Sequence, residues 1–258
     1  MRIGFIDSGV GGLSILQAVR QHVVADYVYV MDNRYLPYGE KSEAFIQQRL
    51  SQLSALLISL QVDLIVIACN TATTQAVASL RQQFSIPFVG TVPAIKPAAT
   101  LCMGLGFSVL ATPATAAGTY LQSLIEDFAP HLPIKKYGSS ELVKLAEAKV
   151  WYQRDVYDAV RQEVQRLGMR SSQDNLIVLG CTHFPFLIPE LKDALPHAEF
   201  LDTARAIANR VWTLTQDRHH EAASGHHLYI ATSALDAEQQ HRVVELGFKD
   251  YQCWPTEL

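Results

Sequence analysis

No run of 18 or more apolar residues occurs in the 258-residue chain, so a conventional membrane-spanning helix is not expected and neither is a membrane partner. Its opening, MRIGFIDSGVGG, also lacks the apolar core and small-residue cleavage site of a secretory signal, and the expected location is the cytoplasm. Cysteine is scarce. Cys69, Cys102, Cys181 and Cys253 form no CxxC pair and no zinc-ligand spacing. A reducing compartment argues against structural disulfides and leaves cysteine chemistry to free thiols. A charge excess is missing too: 21 basic against 25 acidic residues give a formal net charge of -4, and no basic patch points to a nucleic-acid partner.

Low-complexity segments are absent. One stretch, 90-GTVPAIKPAAT-100, reads as a linker and marks a plausible domain boundary. The polar segment 216-QDRHHEAASGHH-227 reads as a surface loop; its four histidines lack a surrounding carboxylate and histidine pattern, so no metal site is expected.

What the chain does have is alternation. Short runs rich in β-branched residues alternate with helix-length amphipathic segments, the pattern of parallel strands joined by helical crossovers, and the fold class is α/β. Strands are expected near 2–6, 27–31, 64–68, 87–90, 106–111, 132–136, 175–180, 198–201 and 227–231. Helices are expected over 42–60, 71–83, 114–127, 154–167, 203–216 and 236–246, with another beginning at Leu13.

Self-similarity sharpens this pattern. Residues 64-LIVIACNT-71 return as 176-LIVLGCTH-183, so that Cys69 meets Cys181. A weaker echo relates 3-IGFIDSGVGGLSIL-16 to 107-FSVLATPATAAGTYL-121; both read as strand, small-residue turn and helix. A duplicated α/β unit would give two similar lobes, with both cysteines at the carboxyl ends of strands, where open α/β sheets bind ligands. Buried cysteine is often just a small hydrophobe, and that reading suits Cys102 and Cys253. It does not explain a thiol placed twice with polar residues directly behind it.

Two thiols on opposite faces of one carbon could invert it, one removing a proton and the other supplying one. The competing reading is a single nucleophile, Cys181, with His183 as base; it leaves Cys69 idle, and residues two apart at a turn need not meet. Asp7 and Ser8 close the first strand, where they could cap the following helix or hold a substrate. The glycines that follow lack the third glycine of a dinucleotide fingerprint and the lysine of a P-loop. Backbone donors, hydroxyls and one or two acids suit a small zwitterion better.

These segments carry a resemblance. FIDSGVGGLS (5–14), LPYGEKS (36–42), ACNTAT (68–73), GTVPAIKPA (90–98), LATPAT (110–115) and LGCTHFPFL (179–187) are similar to the motifs of the bacterial glutamate racemases, in the cofactor-independent aspartate/glutamate racemase superfamily. The resemblance covers nearly the whole chain. It implies interconversion of L- and D-glutamate without pyridoxal phosphate or metal, the D-isomer serving peptidoglycan synthesis. Cys69 would act on the α-proton of D-glutamate with the help of Asp7, and Cys181 on that of L-glutamate with the help of His183. Substrate contacts carry over to Ser8, Tyr38, Gly39, Asn70, Thr71, Thr112, Thr115 and Thr182, and to Glu147 on the helix 139–149. Ser139-Ser140 and Lys144 depart from the common Cys-Pro and Pro of that helix, which weakens the carry-over to Glu147.

The implied fold is two pseudo-symmetric α/β lobes with mainly parallel sheets, 1–94 plus 207–258 and 95–206, with the active site in the cleft between them. Tyr38 and Gly39 would sit on a covering loop, and members are often homodimers. Some relatives with an N-terminal extension respond to UDP-N-acetylmuramoyl-L-alanine; the very short lead before the first strand here suggests no such response. The rival readings are a racemase for aspartate, one methylene shorter, and a non-catalytic amino-acid sensor, which would not need both cysteines.

Overall fold

The computed structural model describes residues 1–218 and 223–254. The chain divides into two units, Met1–Thr91 together with the residues from Ala204 onward, and Val92–Thr203.

The first unit begins with β1 (Arg2–Asp7), α1 (Gly12–Arg20), β2 (Asp26–Met31), α2 (Glu43–Ser59), β3 (Leu64–Ile67), α3 (Asn70–Gln83) and β4 (Phe88–Gly90). The second unit holds α4 (Ile95–Leu101), β5 (Phe107–Ala111), α5 (Pro113–Ala117), α6 (Thr119–Phe128), β6 (Ile134–Gly138), α7 (Glu141–Tyr152), α8 (Tyr157–Arg166), β7 (Leu176–Gly180), α9 (Ile188–Ala194) and β8 (Glu199–Leu201). The chain then returns to the first unit with α10 (Ala204–Thr215), β9 (Leu228–Ala231), α11 (Ala237–Glu245) and β10 (Asp250–Cys253).

Each unit has its own sheet, and every strand pairing is parallel. The orders are β10-β9-β2-β1-β3-β4 and β6-β5-β7-β8. Reading β5 to β8 as copies of β1 to β4, the second order repeats the last four strands of the first, β2-β1-β3-β4, strand for strand. The register repeats too: Ile3 lies opposite Leu64, and Ser108 opposite Ile177, one residue further along the copy. Strands such as LIVI of β3 are apolar throughout because helices cover both faces of a parallel sheet.

This order has a consequence for function. The chain leaves β1 for the neighbour on one side and later places β3 on the other, so the carboxyl ends of β1 and β3 flank a topological switch point, where such sheets bind ligands. The ends of β5 and β7 stand in the same position in the second sheet.

Several expectations are corrected. The linker-like stretch 90–100 contains α4, whose Pro97 falls in the first turn, where the missing N–H has no helical partner to lose. The helix expected over 114–127 is two helices, broken at Gly118, whose backbone is extended. Strand β10 was not expected; it is a short, largely exposed edge strand, DYQC, with no apolar run to announce it. Residues 38–40, where Tyr38 and Gly39 are expected on a covering loop, form a 3-10 turn with Tyr38 buried, which leaves that expectation open. His219 and His220 of the polar segment lie outside the described residues.

Among the described residues no helix is long and apolar enough to cross a membrane.

Candidate active site

In the first unit the polar groups gather where β1, β2 and β3 end. Ala68 N donates to the carbonyl of Ile6 just beyond the last paired residues, so the register carries Ser8 up to Cys69. Cys69 is the N-cap of α3, and its carbonyl accepts from Thr73 N at 2.9 Å. The thiol is 7% exposed and stands at the end of the helix whose free N–H groups and dipole favour an anion. Asn70 and Thr71 form the first turn and are buried; the amide nitrogen Nδ2 of Asn70 has no hydrogen-bond partner among the described residues. A buried donor without a partner is costly, and a carboxylate would satisfy it.

Asp7 is fully buried at the end of β1, and its Oδ1 accepts from the backbone N–H of Ser8. The turn behind it is tight. A side chain on Gly12 would meet Ala68 Cβ at 2.8 Å and Asp7 Cβ at 3.0 Å, so the glycine lets α1 start directly over the ends of β1 and β3.

A polar network with no signal in the local sequence supports this end of the sheet. Asp32, immediately after β2, donates its backbone N–H to the carbonyl of Asp7 at 2.8 Å. Its carboxylate takes both forks of Arg49 (Nη2 to Oδ1 2.8 Å, Nε to Oδ2 3.0 Å), the hydroxyl of Thr232 at 2.7 Å and that of Tyr38 at 2.6 Å. Arg49 and Asp32 are both 0% exposed. Burial, then the neighbouring Asp32 charge, pushes the Tyr38 phenol well above its ordinary pKa. Tyr38 thus packs in the same apolar cluster as Cys69, its hydroxyl committed to Asp32. Gly39 follows in the same turn, half-buried.

In the second unit Cys181 follows β7 and is 6% exposed. A tight turn, with Phe184 N donating to the Cys181 carbonyl, brings His183 back onto the thiol: Nδ1 lies 3.8 Å from Sγ. Spacing alone could not show this contact. The opposite ring nitrogen, Nε2, lies 2.6 Å from Glu147 Oε1, and Trp151 Nε1 donates to Glu147 Oε2 at 2.8 Å. Burial works against an imidazolium here, but hydrogen bonds to Cys181 and Glu147 and the Glu147 charge outweigh it, and the His183 pKa rises well above its usual value. With Glu147 accepting at Nε2, one proton can sit on Sγ or on Nδ1.

Thr112, after β5, caps α5 by accepting from Thr115 N at 3.3 Å, and the two hydroxyls lie 3.1 Å apart. Both are buried, as is Thr182. Ser139 bonds Glu163 and accepts from Leu142 N, so its hydroxyl holds the start of α7.

Sequence reasoning passed over Asp32, Arg49, Thr232 and Trp151. Each acts across 4 to 200 residues of chain through side chains that are common in ordinary helices and strand ends. The i to i+4 spacing of Glu147 and Trp151 on one helix face was the only signal available for any of them. Among the described residues no group of three or more His, Cys, Asp or Glu could hold a metal.

Comparison with known proteins gives the chain a family. Glutamate racemase of Photorhabdus laumondii is 47% identical over 209 residues, 79% of this chain and 72% of that protein. The Aliivibrio fischeri ES114 enzyme of the same name is 40% identical over 253 residues, covering 96% and 95%. The crystal structure of Escherichia coli glutamate racemase in complex with L-glutamate and the activator UDP-MurNAc-Ala superposes with a TM-score of 0.87 at 36% identity, over 97% of this chain and 96% of that one. The family model described as Asp/Glu/Hydantoin racemase matches residues 3–211. The chain therefore belongs to the Asp/Glu/hydantoin racemase family.

Proposed function

We propose that the protein is a glutamate racemase that interconverts L- and D-glutamate by proton transfer at the α-carbon, without a cofactor, and supplies D-glutamate for peptidoglycan. One observation carries the reading: two sheets that share a four-strand order each place a buried thiol just after the corresponding strand, with the buried acid Asp7 at the end of the neighbouring strand in the first unit and the His183 imidazole 3.8 Å from the thiol in the second. The relatives named above supply glutamate as the substrate.

In this reading the Cys69 thiolate takes the α-proton of D-glutamate and the Cys181 thiol returns a proton to the other face; L-glutamate runs the steps in reverse. No electrons leave the substrate, and each turnover moves the thiol proton from one cysteine to the other. Asp7 assists Cys69. His183 assists Cys181, since a proton shared between Sγ and Nδ1 lets the imidazole hold it while the sulfur is anionic.

The α-proton is a far weaker acid than a thiol, so the developing carbanion must be stabilised by fixed donors in a water-poor site. The first turn of α3 and the unpartnered amide of Asn70 suit a substrate carboxylate. Ser8, Gly39, Thr71, Thr112, Thr115 and Thr182 add hydroxyl and backbone donors, and Tyr38 forms a wall beside Cys69. Glu147, engaged by His183 and Trp151, is assigned to orienting the imidazole. A cytoplasmic homodimer completes the reading.

Incubation of metal-free and pyridoxal-free protein with each glutamate enantiomer in deuterated water tests it. Racemisation with deuterium entering the α-position is expected. Turnover of aspartate but not glutamate would reassign the substrate, and absence of exchange with any amino acid would end the enzymatic reading.

A further inference from the structure

We propose that Trp151 is a positioning residue for the Cys181 half of the site, acting through Glu147 to fix the imidazole of His183 against the thiol. The inference rests on the racemase reading above. Its basis is a continuous line of contacts within the second unit: Trp151 Nε1 to Glu147 Oε2 at 2.8 Å, Glu147 Oε1 to His183 Nε2 at 2.6 Å, and His183 Nδ1 to Cys181 Sγ at 3.8 Å.

The direction of the line is set by chemistry. An indole has one donor and no acceptor, so Trp151 can only donate to the carboxylate. A carboxylate held at one oxygen can still turn about its side-chain bonds; held at both, its plane and reach are fixed. Trp151 is 3% exposed, so packing holds the ring that holds the carboxylate. Glu147 and Trp151 lie one turn apart on the same face of α7, which makes the contact local and cheap in entropy.

The helix itself is tied to the turn that carries His183. Lys149 donates to the carbonyl of Phe186 at 2.8 Å and to Glu190 at 2.6 Å, and Glu190 is buried at the start of α9. The end of α7 therefore grips the segment after β7 at two points, Glu147 on the imidazole and Lys149 on the backbone three residues further on. Only the first contact reaches the proton that moves.

The test is Trp151→Phe, read by primary isotope effects with [2-²H]glutamate. If Trp151 positions the Cys181 step, kcat/KM falls about tenfold, the equivalent of one charge-assisted hydrogen bond. Proton transfer at Cys181 then limits both directions. The isotope effect on kcat/KM should rise toward its full value for L-[2-²H]glutamate and fall toward unity for the D-isomer. Val143→Ala, a buried cavity on the same helix, should lower stability without splitting the two isotope effects. Replacing the chain's three tryptophans biosynthetically by the benzothiophene analogue deletes the N–H at unchanged shape, and should give the same split if Trp151→Phe folds poorly.

Isotope effects that move together, or a split no larger than that of Val143→Ala, would overturn the role of Trp151 while leaving the racemase reading intact. Absence of glutamate turnover by the unaltered chain would overturn the racemase reading itself.

Discussion

The two units are built on one plan and hold their thiols in different ways. Aligning the sheets by register, Asp7 corresponds to Ala111, Ser8 to Thr112, Asp32 to Ser139, Cys69 to Cys181 and Thr71 to His183. The backbone N–H of Asp32 donates to the carbonyl of Asp7 as that of Ser139 donates to Ala111, so even the connecting bond is repeated. The group proposed to assist each thiol, however, stands on a different strand end. The first unit carries its acid at the end of β1 and a threonine after the cysteine; the second has alanine at the end of β5 and histidine after the cysteine. The frame fixes where the thiol stands, and the residues around it differ between the two units.

The largest effects should come from the groups that the plan duplicates. Cys69→Ser and Cys181→Ser should each lower racemisation by ~10³-fold or more, since a serine hydroxyl is a far weaker acid at the same place. Cys102→Ser, where the thiol is buried with Sγ directed at the carbonyl of Ala99, should keep most of the activity. Comparable losses for all three would remove the distinction between paired and unpaired cysteines.

Next in size is the support peculiar to the first unit. Arg49→Met leaves Asp32 buried without its cation and should cost on the order of 3 kcal/mol in denaturant unfolding. Tyr38→Phe should cost less, about 1 kcal/mol, because Asp32 keeps the guanidinium and Thr232. Equal losses would mean that the phenol matters to this end of the sheet as much as the ion pair does. Gly12→Ala should cost roughly 1–3 kcal/mol, as its methyl must displace Ala68 or Asp7.

Much of this could be read before any coordinates, and the division follows from distance along the chain. Parallel strands buried on both faces are continuous apolar runs, so LIVIA and LIVLG stood out, and with them the repeat that pairs Cys69 with Cys181. Polar residues at strand ends, such as Asp7, Ser8, Asn70 and Thr182, were legible because nothing in a core needs them there. The Asp32 cluster was not, because Arg49 on α2 and Thr232 after β9 come from distant segments that only tertiary packing brings together. Likewise α4 was hidden by Pro97 and the preceding Pro93, and β10 by its polarity. The contact of His183 with Cys181 depends on a turn conformation that spacing does not specify.

The smallest predicted effect probes the second unit's helper through pH. Burial disfavours the charged form of His183, but Cys181 and Glu147 raise its pKa above the ordinary 6.5, so the folded chain holds this proton more tightly than the unfolded one. The stabilisation is therefore fully present below pH 6.5 and is lost as pH rises through the folded-state value, with a slope of at most about 1.4 kcal/mol per pH unit for a single proton. Glu147→Gln removes the anion and keeps the shape, so His183 should titrate closer to an ordinary histidine and the decline in stability above pH 6.5 should shrink. Asp7 lies at the end of β1 in the first unit, so Asp7→Asn should leave that decline in place. Stability measured against pH for both variants decides the matter: if Asp7→Asn flattens the curve and Glu147→Gln does not, the two helper groups have been assigned to the wrong halves.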